Sequence, residues 1–190
     1  MAADRDLIQI VDAAMAEAAR RSGSWLACRP GCTECCMGPF PITMLDAERL
    51  REGMRDLERS DPARASAVRG RAAAYLARLP GFPGDARTGI LLDGAEGEDR
   101  FDALAEGEPC PALDPATGTC DLYAARPVTC RIFGPAVGID GGAVGVCELC
   151  YQGASDEDIA RCRVEVDAHG LEAELLAGDA RQTIVAFALR

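Results

Sequence analysis

The chain has 190 residues, of which 48% are hydrophobic, and a formal net charge of −11 at pH 7. This length supports one domain with a substantial core, whereas the acidic balance and the lack of a basic run exclude a nucleic-acid partner. No apolar run reaches the length of a membrane span, and the first residues are acidic where a signal peptide is basic. We therefore expect a cytoplasmic protein with no membrane partner.

Four segments have the spacing of apolar residues that is typical of helices. Acidic residues begin the first segment and arginines end it, an order that suits the helix dipole. Thr43 with Asp46 forms a capping-box pattern, and Asp61-Pro62 is an N-cap followed by proline at the first helical position. The predicted helices are 4–21, 43–59, 61–79 and 155–189, the last broken at its glycines.

Short strands are predicted between these helices, in regions rich in Gly and Pro. One lies in "TGILLDG", and two more lie at Thr119–Leu122 and Ala143–Val146, each beside a glycine-containing turn. The turns are Thr117-Gly118 and Asp140-Gly141-Gly142. The acidic stretch 93–108 predicts an exposed loop whose charge is solvated, because it lacks the regular spacing of a calcium-binding loop.

Together these elements predict a mainly α fold. Helices would enclose an irregular, metal-stitched, cysteine-rich centre with at most a short β-hairpin. Loops of Gly, Pro and Ala bury too little apolar surface to offset their own ordering entropy, whereas binding of a structural metal stabilises such loops by roughly 10 kcal/mol or more. We expect a single metal-binding domain over residues 1–190.

Cysteine is the most informative residue type in the chain. Nine of the ten cysteines fall in two regions, and they are the candidate metal ligands: Cys28, Cys32, Cys35, Cys36, Cys110, Cys120, Cys130, Cys147 and Cys150. Cys32-x-x-Cys35 and Cys147-x-x-Cys150 have the spacing that lets two thiolates reach one metal while backbone amides donate to sulfur. Metal binding is therefore favoured over a disulfide framework or a chance cluster of core cysteines, since the cytoplasm keeps thiols reduced.

The adjacent pair Cys35-Cys36 bears on the kind of metal. Two neighbouring thiolates rarely serve one tetrahedral ion, and nine thiols exceed the four that a single zinc site takes. We therefore favour an iron–sulfur cluster of the four-iron, four-sulfide type, with zinc as the alternative. Either two sites or one polynuclear site with spare thiols would account for the number.

Two further residues have simpler explanations. Cys162 lies on an apolar helix face beside Ile159 and Val166, where a free cysteine is a small core residue. His169 is predicted at a helix end before Gly170, where an imidazole can bind the last carbonyls.

Arg126 and Arg131 flank the cysteines and are the candidate cofactor-binding arginines. Four thiolates around Zn²⁺, or around an oxidised four-iron cluster, leave a net charge of about −2 that needs compensation when buried. Either arginine could donate to sulfur, and the alternative is a structural ion pair with Asp121.

The spacing Cys28-x-x-x-Cys32-x-x-Cys35 also matches the cluster motif of radical S-adenosylmethionine enzymes. Those motifs follow the first strand of a partial (β/α) barrel, whereas here a helix precedes the cysteines and no series of strand–helix units is predicted. The context therefore disfavours that class.

The segments "CRPGCTECC" and "CPALDPATGTCDLYAARPVTCRIFG" resemble the bacterial cysteine-cluster proteins of the YkgJ type. That family is described as a "putative zinc- or iron-chelating domain" with the signature CxxCxxCC. The matching features are Cys110-Pro111, Gly118 to Cys120, Tyr123 to Pro127, and Cys130-Arg131. The resemblance covers about residues 28–150, with 1–27 and 151–190 as flanking helices. One departure is that three residues, not two, separate Cys28 from Cys32.

The resemblance implies metal binding but does not specify a reaction. Members are labelled iron–sulfur oxidoreductases or flagellin N-methylases, yet this sequence has no independent sign of a methyl-donor pocket. We expect a metal-binding protein with a redox role or a role in protein modification, acting on an unidentified protein or small-molecule substrate. The alternatives are a metal storage or transfer protein and a structural zinc module for protein interaction.

Overall fold

The computed structural model describes residues 2–79, 81–92, 107–138 and 145–190. Half of these residues are helical, which confirms the mainly α prediction. The α-helices in this part of the chain are α1 (Ala2–Ser22), α2 (Met44–Ser60), α3 (Pro62–Ala77), α4 (Val128–Arg131), α5 (Asp156–Cys162), α6 (Leu171–Leu176) and α7 (Val185–Ala188). Short 3₁₀ helices cover Gly23–Trp25, Glu34–Cys36 and Tyr123–Ala125.

Strands in the described ranges form two-stranded pairings of two or three residues each. They are β1 (Pro41–Thr43), β2 (Gly84–Asp85), β3 (Ile90–Leu91), β4 (Leu113–Asp114), β5 (Thr119–Cys120), β6 (Val137–Gly138), β7 (Val164–Glu165) and β8 (Gln182–Ile184). β1 pairs with β8, β2 with β3 and β4 with β5, all antiparallel, and β6 pairs with β7 in parallel. β3 and β5 confirm two of the strands expected from the sequence.

The chain divides into two compact units, each built from two stretches of sequence. Unit 1 comprises Met1–Arg29 and Val128–Gly178, and unit 2 comprises Pro30–Pro127 and Asp179–Arg190. No helix in the described ranges has the length and apolar character needed to cross a membrane.

Unit 1 is built on α1, which contacts α4, α5, α6 and β7. Leu7, Val11 and Ala18 lie on one face of α1 and are fully buried, because the 3.6-residue period brings them together. The Tyr151 hydroxyl bonds with the Ser22 hydroxyl and accepts a hydrogen bond from the Ala136 N–H at 2.9 Å. These contacts fix the chain on both sides of the unit 1 cysteines.

Unit 2 is built on α2 and α3, which pack on each other and on α7. Both helices begin where the sequence predicts. Thr43 accepts a hydrogen bond from the Asp46 N–H, and Asp61 accepts one from the Arg64 N–H with Pro62 at the first turn. The core between them is lined by Ile42, Ala47, Leu50, Met54, Ala65, Val68, Ala72, Ala112, Leu122, Val185, Ala188 and Leu189.

The predicted helix over 155–189 is right only in its first turns and in two short later segments. α5 ends at Cys162, and β7 and β8 interrupt the region that the prediction made helical. Val164 and Thr183 are β-branched residues within these strands, which favour extended backbone. Gly170 adopts a left-handed conformation with φ of 68°, so the chain turns there before α6 begins.

Two predicted features fall wholly or largely outside the described residues. Most of the acidic stretch 93–108 and the turn Asp140-Gly141-Gly142 lie in the undescribed ranges. Gly145, from the strand predicted at 143–146, forms an antiparallel bridge with Val137.

Candidate metal centre

The ten cysteines divide equally between the two units. Unit 2 contains Cys32, Cys35, Cys36, Cys110 and Cys120, and unit 1 contains Cys28, Cys130, Cys147, Cys150 and Cys162. None of them forms a disulfide, and all ten lie in the described part of the chain. The sequence predicts that Cys32, Cys35 and Cys36 converge with Cys110, Cys120 and Cys130. Five of these six cysteines belong to unit 2 and Cys130 belongs to unit 1, so convergence of the full set stays a prediction.

In unit 2, backbone pairing brings the first cysteine loop to the second. The Cys110 N–H donates to the Cys36 carbonyl oxygen at 2.7 Å, and the Gly38 N–H donates to the Glu108 carbonyl oxygen at 2.7 Å. Met37 and Pro109 form the antiparallel bridge between these two bonds. Cys36 and Cys110 are therefore held side by side by main-chain contacts alone.

The hairpin β4–β5 positions Cys120 in the same group. Cys120 pairs with Leu113 across the hairpin, and Leu113 lies three residues after Cys110 in the chain. Gly118 turns the hairpin with φ of +67°, and Gly31 lies beside it, with its Cα 3.5 Å from the position of a Cβ at Gly118. The loop that carries Cys32 therefore lies against the hairpin that carries Cys120.

The adjacent thiols Cys35 and Cys36 share a hydrogen bond that sets their pKa values apart. This bond is the largest cause of the lowered pKa of Cys35, about 6, and the Arg126 guanidinium contributes to the same lowering. The same bond, with burial and the neighbouring thiols of Cys110 and Cys120, raises the pKa of Cys36. Four thiols of unit 2 thus lie within electrostatic reach of one another, with one of them ionised first.

Two of these four sulfurs accept hydrogen bonds from backbone N–H groups that follow them in the chain. Burial raises the pKa of Cys110 to about 12, whereas the N–H groups of Ala112 and Leu113 oppose this rise. Burial also raises the pKa of Cys120, and the Leu122 N–H opposes it. N–H groups aimed at sulfur stabilise a thiolate, so both turns are suited to a deprotonated, metal-bound cysteine.

Arg126 is a cation that acts on two of the unit 2 thiols, as Arg71 acts on Cys110. The Arg126 charge lowers the pKa of both Cys35 and Cys120. This effect is smaller than that of the Cys36 hydrogen bond on Cys35 and that of burial on Cys120. The guanidinium lies over the Tyr123 ring, 3.7 Å from the ring centroid, which fixes its position by a cation–π contact.

Asp121 has other partners than the arginines expected from the sequence. Its carboxylate, only 2% exposed, pairs with Arg64 and Arg71 of α3. Arg71 also donates to the Pro111 carbonyl oxygen at 2.9 Å. Arg71 is a supporting residue that sequence reasoning missed, because its distance from Cys110 in the chain gives no signal of this contact.

In unit 1, three thiols come together. The sulfur atoms of Cys28 and Cys150 are 3.9 Å apart, and the Cys147 and Cys150 thiols share a hydrogen bond. Gly134 lies directly beside Cys28, since a Cβ at Gly134 would approach the Cys28 sulfur to 2.5 Å. The Cys147 N–H donates to the Gly134 carbonyl oxygen at 3.4 Å.

Cys147 begins a turn like the one at Cys110. The Cys150 N–H donates to the Cys147 carbonyl oxygen at 2.9 Å, as the Leu113 N–H does to the Cys110 carbonyl oxygen. Burial and the Cys150 thiol raise the pKa of Cys147, and the N–H groups of Leu149 and Cys150 oppose this by hydrogen bonding to its sulfur. The same local device therefore occurs once in each unit.

Cys130 lies in α4, and three further residues of unit 1 that the sequence singled out have structural positions. Cys162 is buried, as predicted, and its thiol donates to the Arg21 carbonyl oxygen at 3.4 Å. Arg131 is buried and pairs with Asp12 of α1 at 2.7 Å. His169 lies in the turn that precedes α6 rather than at the end of a helix.

Within the described ranges, no group of three or more His, Cys, Asp or Glu side chains is arranged so that it could hold a metal ion. The nine-cysteine ligand set therefore stays a prediction. The chemistry of the donors fits zinc or iron, since both units offer clustered thiols and both contain turns that donate N–H groups to sulfur.

Comparison with known proteins gives one match. The family model described as "CxxCxxCC: Putative zinc- or iron-chelating domain" matches residues 27–148, more than half of the chain. No curated protein and no solved structure matches the chain.

Proposed function

Because the chain belongs to the CxxCxxCC family of zinc- or iron-chelating domains, we propose that its unit 2 thiols hold an iron–sulfur cluster and that the protein transfers single electrons. The observation that carries this proposal is the group Cys35, Cys36, Cys110 and Cys120, whose thiols interact electrostatically. Two members of the group also receive backbone N–H bonds at sulfur.

The donor set favours a cluster over a single zinc ion. All four candidate ligands are cysteines, and the chain's one histidine, His169, lies in the other unit. Adjacent residues such as Cys35 and Cys36 are difficult to fit around one tetrahedral ion, whereas a cluster offers separate iron atoms to each thiolate. When bound, such a cluster accepts and releases one electron at a time.

The residues around the thiols match the charge that this cofactor brings. Four thiolates and an oxidised four-iron cluster carry a net charge of about −2, which needs compensation in a partly buried site. Arg126 supplies a fixed positive charge, and the N–H groups of Ala112, Leu113 and Leu122 supply dipoles directed at sulfur. These groups orient and stabilise the thiolates before any cofactor arrives.

The test is purification under anaerobic conditions, followed by iron, zinc and acid-labile sulfide analysis. We expect iron and sulfide in equal amounts, with a broad visible absorption that dithionite bleaches. Cys110→Ser should remove both, because it deletes a ligand at the start of an N–H-donating turn. Cys162→Ser is the matched control and should retain iron and sulfide, since the Cys162 thiol donates a hydrogen bond to the Arg21 carbonyl oxygen.

A protein with near-stoichiometric zinc that depends on Cys110, and with no sulfide and no visible band, would overturn the cluster proposal. In that case the unit 2 thiols would form a zinc site, and an electron-transfer role would be excluded.

A further inference from the structure

We propose that Cys28, Cys147 and Cys150 bind a single zinc-type ion in unit 1, as a second metal site that is separate from the unit 2 thiols. The two sites share no ligand, so this inference does not rest on the iron–sulfur proposal. Its three thiols all lie within unit 1, which comprises Met1–Arg29 and Val128–Gly178.

The sulfur–sulfur distance suits one ion. Zinc–sulfur bonds of 2.3 Å in a tetrahedron place two sulfurs about 3.8 Å apart, and the Cys28 and Cys150 sulfurs are 3.9 Å apart. Both sulfurs can therefore reach one ion from these positions.

The Cys147 turn supplies the second argument. Cys147 and Cys150 are joined by a thiol–thiol hydrogen bond, and two backbone N–H groups already donate to the Cys147 sulfur. In a Cys-x-x-Cys zinc site, both thiolates face one ion and such N–H groups stabilise the charge that they carry. A cysteine that only fills a core has no need of these bonds.

Gly134 supplies the third argument, because the chain leaves space for the Cys28 sulfur. A methyl group there would come within 2.5 Å of that sulfur, and the glycine holds φ at +109°, a conformation that other residues rarely adopt. Cys28 itself is exposed, so an ion can reach its thiol from solvent. Three thiolates leave the fourth tetrahedral position for one more ligand.

The position of Cys28 departs from the spacing of the family signature. Cys28 stands one residue too far from Cys32 for the CxxCxxCC spacing, and it belongs to a different unit from Cys32. Cys28 and Cys147 lie within the matched residues 27–148, and Cys150 lies two residues beyond them. A separate ion bound by Cys28 would account for its different spacing and unit.

The experiment compares zinc content per chain in anaerobically purified wild type, Cys147→Ser and Cys162→Ser. We expect Cys147→Ser to lose one equivalent of zinc and to retain its iron, sulfide and visible absorption. Cys162→Ser should retain the zinc, since Cys162 is a buried cysteine of the same unit outside the trio. Far-ultraviolet circular dichroism checks that each variant keeps its helices.

A second measurement uses Co²⁺ in place of zinc, on the wild type and on Cys28→Ser. Thiolate-to-cobalt absorption should appear in the wild type. In Cys28→Ser, the part of this absorption that comes from the three unit 1 thiolates should fall by about a third, because one of the three is lost. Unchanged zinc in Cys147→Ser, or a Cys28–Cys150 disulfide in place of metal under anaerobic conditions, would overturn the unit 1 site. Loss of metal only on Cys110→Ser would leave the unit 2 proposal standing and refute this one.

Discussion

At the scale of single residues, the adjacent thiols of Cys35 and Cys36 are the most polarised pair in unit 2. Their shared hydrogen bond favours ionisation of Cys35, and Arg126 adds a positive charge beside it, while burial and Glu34 act in the opposite direction. The pKa of Cys35 near 6 makes it a thiolate at neutral pH, which is the state that binds metal and reacts with electrophiles.

Arg126→Gln should raise the pKa of Cys35 in metal-free, reduced protein. The lowered pKa means that Cys35 reacts with iodoacetamide once the pH exceeds about 6, and removal of the guanidinium should move this midpoint to higher pH. The measurement is the alkylation rate of the Cys35 peptide against pH, by mass spectrometry. Arg59→Gln, an exposed arginine paired with Asp56 in α2, is the control and should leave the profile unchanged.

An identical pH midpoint in Arg126→Gln and wild type would show that Arg126 does not act on these thiols. Its place above the Tyr123 ring would then be structural only.

The spacing of the cysteines indicates the local geometry around each one, but it does not indicate which cysteines come together in the fold. The Cys147-x-x-Cys150 turn and its N–H bonds follow from local geometry, which two intervening residues determine. Cys28 and Cys32 are neighbours in sequence but belong to different units, because the division falls between Arg29 and Pro30. Spacing alone has no information about which long-range contacts the chain makes on either side of such a point.

At the scale of elements, α2 is held close to the segment that carries Arg126. A Cβ at Gly53 would lie 2.4 Å from the Ala125 Cβ, so only glycine allows α2 to approach the 3₁₀ helix Tyr123–Ala125 this closely. Glycine inside a helix costs roughly 1 kcal/mol of stability relative to alanine. The close approach of α2 to Ala125 explains why glycine stands at position 53 despite this cost.

Gly53→Ala should therefore destabilise the protein, although alanine is the better helix former. Overpacking of this kind costs typically 1–3 kcal/mol, which exceeds the propensity gain of about 1 kcal/mol. Gly70→Ala in α3 is the matched control, because no atom lies within 4 Å of its Cβ position, and it should stabilise the protein by about 1 kcal/mol. Urea unfolding of both variants under reducing, anaerobic conditions measures the difference, and equal stabilisation by both changes would contradict the close approach.

Long helices with caps could be predicted, whereas the later short elements could not. The observed α2 and α3 begin within one residue of the predicted starts, because Thr43 and Asp61 act as N-caps by local hydrogen bonds. β8 exists because Pro41–Thr43 pairs with Gln182–Ile184, residues that are distant in sequence. Tertiary pairing overrode the helical periodicity there, and no local pattern signals it.

At the scale of the whole molecule, the two proposed centres are of different kinds. Each unit has five cysteines and at least one turn that donates N–H groups to a cysteine sulfur. In unit 2 four thiols lie within electrostatic reach of one another, and in unit 1 the Cys150 thiol lies near those of Cys28 and Cys147. The two centres account for seven of the nine clustered cysteines, a number that exceeds the needs of one zinc ion or one cluster.

Native mass spectrometry of the anaerobically purified chain tests this claim most directly. One spectrum reports the mass of everything bound, and comparison with the denatured chain gives the total metal and sulfide that the chain holds. We predict a native mass that exceeds the bare chain by one iron–sulfur cluster and one zinc ion, with both lost on denaturation. A native mass equal to that of the bare chain would contradict the account. So would a mass that is lower by two hydrogen atoms for each disulfide formed.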